Sequence, residues 1–224
     1  MSHHVLVVAT QNRGKLEELK SLLRDVDVDV VHVSDVTKRE IVVVEDEDTF
    51  EGNAIKKARE VSAATMMLSL ADDSGLEVDA LAGLPGVRSA RYAGERATDA
   101  ENNAHLLAAL DAVDIDPMGV PSATIAFPAR FRCVLALVDP FVKDGEPFVV
   151  EGVCEGKITR TPRGSGGFGY DPLFLVDGTD KTMAELDEGE KNRISHRGRA
   201  FEKMKLVIEK VIAERDTVVR QVTG

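Results

Sequence analysis

No apolar run in the 224-residue chain approaches the roughly 20 residues that a membrane-spanning helix needs, so no span is expected. The N-terminus lacks the basic start and long apolar core of a signal peptide: Met-Ser-His-His leads straight into Val5 to Ala9. Cysteine is scarce. Cys133 and Cys154 lie in apolar, strand-like stretches without CxxC spacing, and read as reduced core thiols of a cytoplasmic protein. Positive charge is in deficit as well, with 28 Lys and Arg against 39 Asp and Glu and a net charge of −11. A broad, nonspecific nucleic-acid binder needs a basic face, so that class is set aside. A nucleotide ligand is not, because a small polyanion needs only a local pocket of lysines, backbone amides and usually a divalent cation.

What is present is ordinary for a globular chain: 43% hydrophobic and 30% charged residues, with length enough for a substantial core. Val5 to Ala9 reads as a buried strand, Thr10 to Gly14 as a loop, and Leu16, Leu19, Leu22 and Leu23 recur at helical spacing. Val26, Val28 and Val30 alternate with aspartates as in a half-exposed strand, and Ile41 to Val44 forms a further short apolar strand ahead of the acidic run Glu45 to Asp48. A helix is predicted from near Asp48, with Glu51 as its capping-box partner, running through Ala54, Ala58 and Val61. The run Met66 to Ala71 reads as a strand ending at Asp72-Asp73. Thr98 to Glu101 is a capping box that opens a helix carrying Leu106, Leu107 and Leu110. Residues 114 to 130, with Pro117, Pro121 and Pro128, read as a loop. Strands are then predicted over 131–138 and 148–158, joined by a turn at 143–146, with an apolar stretch near Leu173 to Val176. A closing helix carries Phe201, Met204, Ile208, Val211 and Ile212 on one face. No repeat, low-complexity tract or interdomain linker appears, so residues 1–224 read as one α/β domain on a mixed sheet. In open α/β sheets ligands bind at the carboxyl ends of strands, where both Thr10 to Lys15 and Asp72-Asp73 are expected.

Several segments suit chemistry, although each has a plainer reading. Thr10-Gln11-Asn12-Arg13-Gly14-Lys15 joins a strand to a helix N-terminus, where unpaired amides and the helix dipole favour anions. It is not a Walker A loop, and taken alone it reads better as a turn with Asn12 as helix cap and Lys15 in water. Glu45 can meet Asp73 around one hard cation, since magnesium takes carboxylate oxygens, but acidic runs are usually just solvated. Lys57 on the following helix is by default an exposed lysine. Asp72 and Asp73 repel unless a cation or proton lies between them. Gly164 to Asp171 lets backbone approach a ligand closely, with Phe168 and Tyr170 as stacking faces, or it is a loop whose aromatics are tucked into the core. Lys191 and Ser195-His196-Arg197 precede the last helix, where Ser195 as N-cap with His196 and Arg197 in solvent is the plain alternative.

Five segments together resemble the inosine/xanthosine triphosphate pyrophosphatase family: ATQNRGK (9–15), TFEGNAIKKAR (49–59), ADDSGLEVDALAGLPGVRSARYAG (71–94), GGFGYDPLF (166–174) and EKNRISHRGRA (190–200). They stand in the family's order and at compatible spacing across essentially the whole chain. The resemblance implies an elongated mixed β-sheet flanked by helices, with two lobes around a central substrate cleft, commonly as a homodimer. It implies magnesium-dependent cleavage of dITP, ITP and XTP between the α and β phosphates, giving monophosphate and pyrophosphate. It assigns Thr10, Gln11, Asn12, Arg13, Gly14, Lys15 and Lys57 to the triphosphate. Asp73 becomes the catalytic carboxylate and, with Glu45 and Asp72, a metal ligand, while Ser74 touches substrate. Phe168, Gly169, Tyr170, Asp171, Lys191, His196 and Arg197 would surround base and sugar, with the Arg197 guanidinium as donor to a 6-oxo purine. One departure is visible: the family commonly has glutamate where this chain has Gly52. Two other readings remain open, an aspartyl-phosphate phosphatase that releases inorganic phosphate and a nucleotide sensor without turnover.

Overall fold

The computed structural model describes residues 4–10, 13–38, 41–113, 126–142 and 145–223. Within them the chain forms strands β1 (Val5–Ala9), β2 (Asp29–His32), β3 (Leu68–Val78), β4 (Phe127–Val138), β5 (Phe148–Ile158) and β6 (Phe174–Val176). Its helices are α1 (Arg13–Leu22), α2 (Val33–Val36), α3 (Phe50–Thr65), α4 (Asp99–Val113), α5 (Glu188–Ile194) and α6 (His196–Thr223). The strands form one sheet in the order β2-β1-β3-β4-β5-β6. β1 pairs parallel with β2 and β3, whereas β5 pairs antiparallel with β6, so the sheet is mixed as expected.

The chain divides into two compact units. Unit 1 comprises residues 1–73, 133–151 and 198–224, and unit 2 comprises 74–132 and 152–197. Each has its own apolar core. In unit 1, Leu6 and Val8 of β1, Leu68 and Leu70 of β3, and Leu135 and Leu137 of β4 pack with Leu19, Phe201, Met204, Ile208 and Val211. The apolar face read from the periodicity of the last helix is thus the buried one. In unit 2, Leu76, Val78, Leu106, Leu110, Phe131, Tyr170 and Phe174 form the corresponding cluster.

Four local expectations change. Ile41 to Val44 form no strand: Val42 and Val44 are 62% and 61% exposed, and 41–47 carries no ladder. β-branched residues favour a strand only where a neighbouring strand offers hydrogen bonds and burial. β2 begins at Asp29, leaving Val26 and Val28 in the approach to it. β4 starts at Phe127, four residues before the predicted Phe131, so Pro128 lies just inside a strand; there a missing N–H costs little. Pro117, Pro121 and the 143–144 half of the predicted turn lie outside the described residues, while Gly145 has φ +76°, as a glycine turn requires. Most consequentially, β3 does not end at Asp72-Asp73 but runs through them to Val78. Its parallel neighbour is what ends: Ala9 of β1 pairs with Ala71, so Asp72 stands level with Thr10, just past the end of β1.

Helix α3 sets the position of later side chains. Its N-cap is Thr49, one residue beyond the predicted start, and the Thr49 hydroxyl accepts a 3.0 Å hydrogen bond from the Gly52 amide. Gly52 therefore occupies the third helical position, from which a glutamate would reach back to close a capping box. A Cβ there would approach Glu47 Cβ to 2.9 Å, so any larger residue has to displace that side chain. With no reciprocal bond, this helix start depends on Thr49 alone. Thr49→Ala is expected to lower the unfolding free energy by about 1 kcal/mol, measured by urea titration.

Candidate active site

In unit 1, β1 delivers Thr10 and α1 opens at Arg13, placing Gly14 and Lys15 in the first helical turn. Gln11 and Asn12 lie outside the described residues. The Thr10 carbonyl accepts a hydrogen bond from His32 Nε2, which ties the end of β1 to β2. Successive side chains of a strand point to opposite faces, and the two aspartates of β3 accordingly meet different lysines. Asp72 Oδ2 lies 3.1 Å from Lys15 Nζ, and Asp73 Oδ1 lies 3.0 Å from Lys57 Nζ. Lys57 Nζ also donates to Glu45 Oε1 at 2.9 Å, so Glu45 and Asp73 share one ammonium. The adjacent like charges are tolerated inside a buried strand because each has its own cation.

Asn53 was not singled out from the sequence, yet it completes this set. It is buried one turn before Lys57 on α3; its Nδ2 donates to Asp73 Oδ2 at 3.3 Å and to the Glu47 carbonyl at 3.3 Å. Its Oδ1 accepts from the Glu47 amide at 3.1 Å. One side chain thereby holds both Asp73 and the backbone two residues beyond Glu45. The available signal was the i, i+4 spacing of Asn53 and Lys57, which places them on one helix face.

Burial pushes the Asp73 carboxyl above the usual aspartate range; Lys57 and Lys15 oppose this and Glu45 adds to it. Burial alone would lower the Lys57 ammonium, but Asp73, Asp72 and Glu45 together outweigh it and raise it. Among these five side chains, three carboxylates face two ammonium groups. The carboxylates supply hard oxygen donors of the kind a divalent cation takes. Among the described residues no three His, Cys, Asp or Glu side chains are placed so as to hold a metal ion together, so a cation here would have the Glu45–Asp73 pair as its protein ligands. Magnesium commonly takes one or two protein carboxylates and completes its shell with phosphates and water, so the donor set suits it.

Unit 2 gathers a second set. Arg197 is buried and donates to Ser74 Oγ at 2.9 Å. Its guanidinium lies 5.0 Å from the centre of the Phe168 ring, and Lys191 Nζ lies 5.5 Å from the same centre. Lys191 also contacts Asp171 Oδ2 at 2.9 Å, and that oxygen accepts from the Phe168 amide at 3.2 Å. Gly167 is required beside them: a Cβ on it would come within 2.0 Å of Asp171 Oδ2. The glycine run thus makes room for an ion pair, a reason the sequence did not disclose. Tyr170 does not present its ring; it is 4% exposed in the unit 2 core and its hydroxyl donates to the Ser89 carbonyl at 2.8 Å. His196 and Arg197 are not in solvent, and His196 stacks on Phe131 with ring centres 4.8 Å apart. Ser74, Phe168, Asp171, Lys191 and Arg197 are brought together; Tyr170 and His196 back them from the core.

A family model described as the Ham1 family matches residues 6–207, most of the chain. The chain belongs to the Ham1 family. It is 48% identical over 206 residues to a dITP/XTP pyrophosphatase of Desulforamulus reducens, an alignment that covers 92% of this chain and 96% of that one. Among solved structures, a HAM1 protein from Coxiella burnetii superposes with a TM-score of 0.79 at 44% identity, over 92% of this chain and 99% of the other. A nucleoside-triphosphatase, or dITP/XTP pyrophosphatase, from Mycobacterium abscessus gives 0.67 at 44% identity, over 89% and 98%. The resemblance carried by the five segments is therefore borne out.

For this Ham1 chain, Lys57 is a side chain whose loss has a direct structural cost. Lys57→Met leaves Asp73 buried beside Glu45 without its main counter-charge. The variant is expected to lose about 3 kcal/mol of unfolding free energy, and adding Asp73→Asn is expected to restore part of it, both by urea titration.

Proposed function

We propose that this chain hydrolyses the non-canonical purine nucleoside triphosphates dITP, ITP and XTP to monophosphate and pyrophosphate, with magnesium, cleansing the nucleotide pool before wrong bases enter DNA or RNA. The observation that carries the reading is the buried Asp73–Lys57–Glu45 set with Lys15–Asp72 beside it, in a chain closely similar to proteins named dITP/XTP pyrophosphatases. Residues 1–224 act as one catalytic domain in this reading, in a cytoplasmic homodimer. No helix among the described residues is long and apolar enough to cross a membrane.

In the proposed mechanism, the segment Thr10 to Lys15, which leads into α1, receives phosphate oxygens, since the dipole at a helix N-terminus favours an anion. Lys15 and Lys57, held on carboxylates, supply two positive charges at fixed positions. Glu45 and Asp73, which share Lys57, are the residues that would hold magnesium, which, when bound, neutralises charge developing on the phosphates, while Asp72, on the other face of β3 with Lys15, lies outside that pair. Asp73 orients the attacking water and accepts its proton. Its two oxygens are fixed by Lys57 and Asn53, and burial has raised its proton affinity toward what a general base needs. Water attacks the α phosphorus, the bond to the bridging oxygen breaks, and pyrophosphate leaves. The unit 2 set takes the base: hypoxanthine and xanthine offer a 6-oxo acceptor to a donor-only guanidinium such as Arg197, whereas adenine offers a 6-amino donor. A site built on such a bond discriminates strongly, because the wrong base leaves buried polar groups unpaired.

Incubation with dITP is expected to release pyrophosphate, and activity is expected to vanish in excess chelator and return with magnesium. Inorganic phosphate as first product, or full activity in chelator, would overturn the reading. Asp73→Asn, nearly isosteric, is expected to lower kcat at least ~100-fold while the circular dichroism spectrum stays that of the parent.

A further inference from the structure

The glycine loop that carries Phe168 is gripped from one side by helix α4. Asp99 Oδ2 accepts a hydrogen bond from the Gly169 amide at 2.7 Å, and Asn103 Nδ2 donates to the Gly169 carbonyl at 2.9 Å. Asp99 and Asn103 stand four apart on the helix, hence on one face, and between them satisfy both polar groups of a single residue. Gly169 has φ +62°, a conformation in which a side chain would be strained. The Asn103 amide cannot be reversed without setting its oxygen against the Gly169 carbonyl, two acceptors facing each other. Its own oxygen is meanwhile buried with no hydrogen bond in unit 2. A buried acceptor left unsatisfied is costly, and its orientation here is set by the grip on the loop.

Phe168 therefore hangs between two anchors, Gly169 on α4 and its own amide on Asp171. Over its ring lie Arg197 and Lys191, the cations assigned above to the base. We propose that Asp99 and Asn103 are positioning residues for purine selection, acting by fixing the Gly169 peptide and through it the Phe168 ring under Arg197. The proposal rests on the base-binding role of the unit 2 set. Both residues bond the Gly169 backbone and neither belongs to the Asp73–Lys57–Glu45 set, so their loss acts on KM and on base preference and not on kcat.

The test measures kcat and KM for inosine triphosphate and ATP, with thermal unfolding of every protein. The variants are Asp99→Ala, Asn103→Leu, Asp99→Asn, Glu101→Ala and Arg197→Ala. Glu101 is the control for helix start: its carboxylate accepts from the Thr98 amide at 2.7 Å but makes no bond to Gly169. Asp99→Ala and Asn103→Leu are each expected to raise KM for inosine triphosphate about tenfold, the loss of roughly one hydrogen bond, with kcat within about twofold. Asp99→Asn keeps an acceptor for the Gly169 amide and is expected to behave as wild type, as is Glu101→Ala. Unchanged KM in both clamp variants, or an equal rise in Glu101→Ala, overturns the proposal. Arg197→Ala separates the two levels. If it keeps the preference for inosine triphosphate over ATP, the base-binding reading itself fails. If it loses that preference while the clamp variants stay wild type, only the clamp fails.

Discussion

The ammonium of Lys57 is the contact on which the rest of unit 1 depends. A lysine buried this deeply is stable as a cation only if acids surround it, and Asp73 and Glu45 do so from a strand and a loop far apart in sequence. In return it allows β3 to carry Asp73 through the interior, as Lys15 does for Asp72. Helix α3 has to present Lys57 and Asn53 on the same face, and the 45–47 segment has to stay extended beside it without joining the sheet. One charge thus ties together a strand, a helix face and a loop.

Unit 2 solves a different problem, holding two cations near one aromatic ring without collapsing onto it. Cations over a ring face gain about 0.5–2 kcal/mol each, too little by itself to order long side chains. Lys191 is fixed by Asp171 and Arg197 by Ser74, so the ring is offered two pre-set donors. Binding to pre-set groups loses less conformational entropy than binding to mobile ones, which is where tight recognition of a flat ligand originates.

Much of this was legible in the sequence, for identifiable reasons. Periodicity located the buried face of α6 and the strand β5, because burial imposes a spacing that survives in one dimension. The Thr98–Glu101 box closes as read, since capping is local chemistry. Ile41 to Val44 misled because strand propensity says nothing about whether a partner strand exists. β3 misled because charge looks like an ending until the lysines that neutralise it, 57 and 16 residues away in sequence, are in place. Asn53 and Gly167 sat inside quoted segments without a visible job. Their roles are a triple hydrogen bond and an absent Cβ, and neither leaves a trace in composition.

The alternation of Asp72 and Asp73 also guards the assembly of the sheet. Sliding a strand by one residue against its neighbour turns every side chain to the other face. Here a slip in one direction would set Ser74 against Lys57 and carry Asp72 to where Ala71 lies fully buried. A slip in the other would give Lys15 an alanine. The first error buries a carboxylate where an alanine belongs and the second takes the Asp72 carboxylate from Lys15, costs that hydrophobic contacts alone would not impose. The two charges thus work as a key cut into the strand: a slip in either direction breaks an ion pair that only the aligned sheet makes.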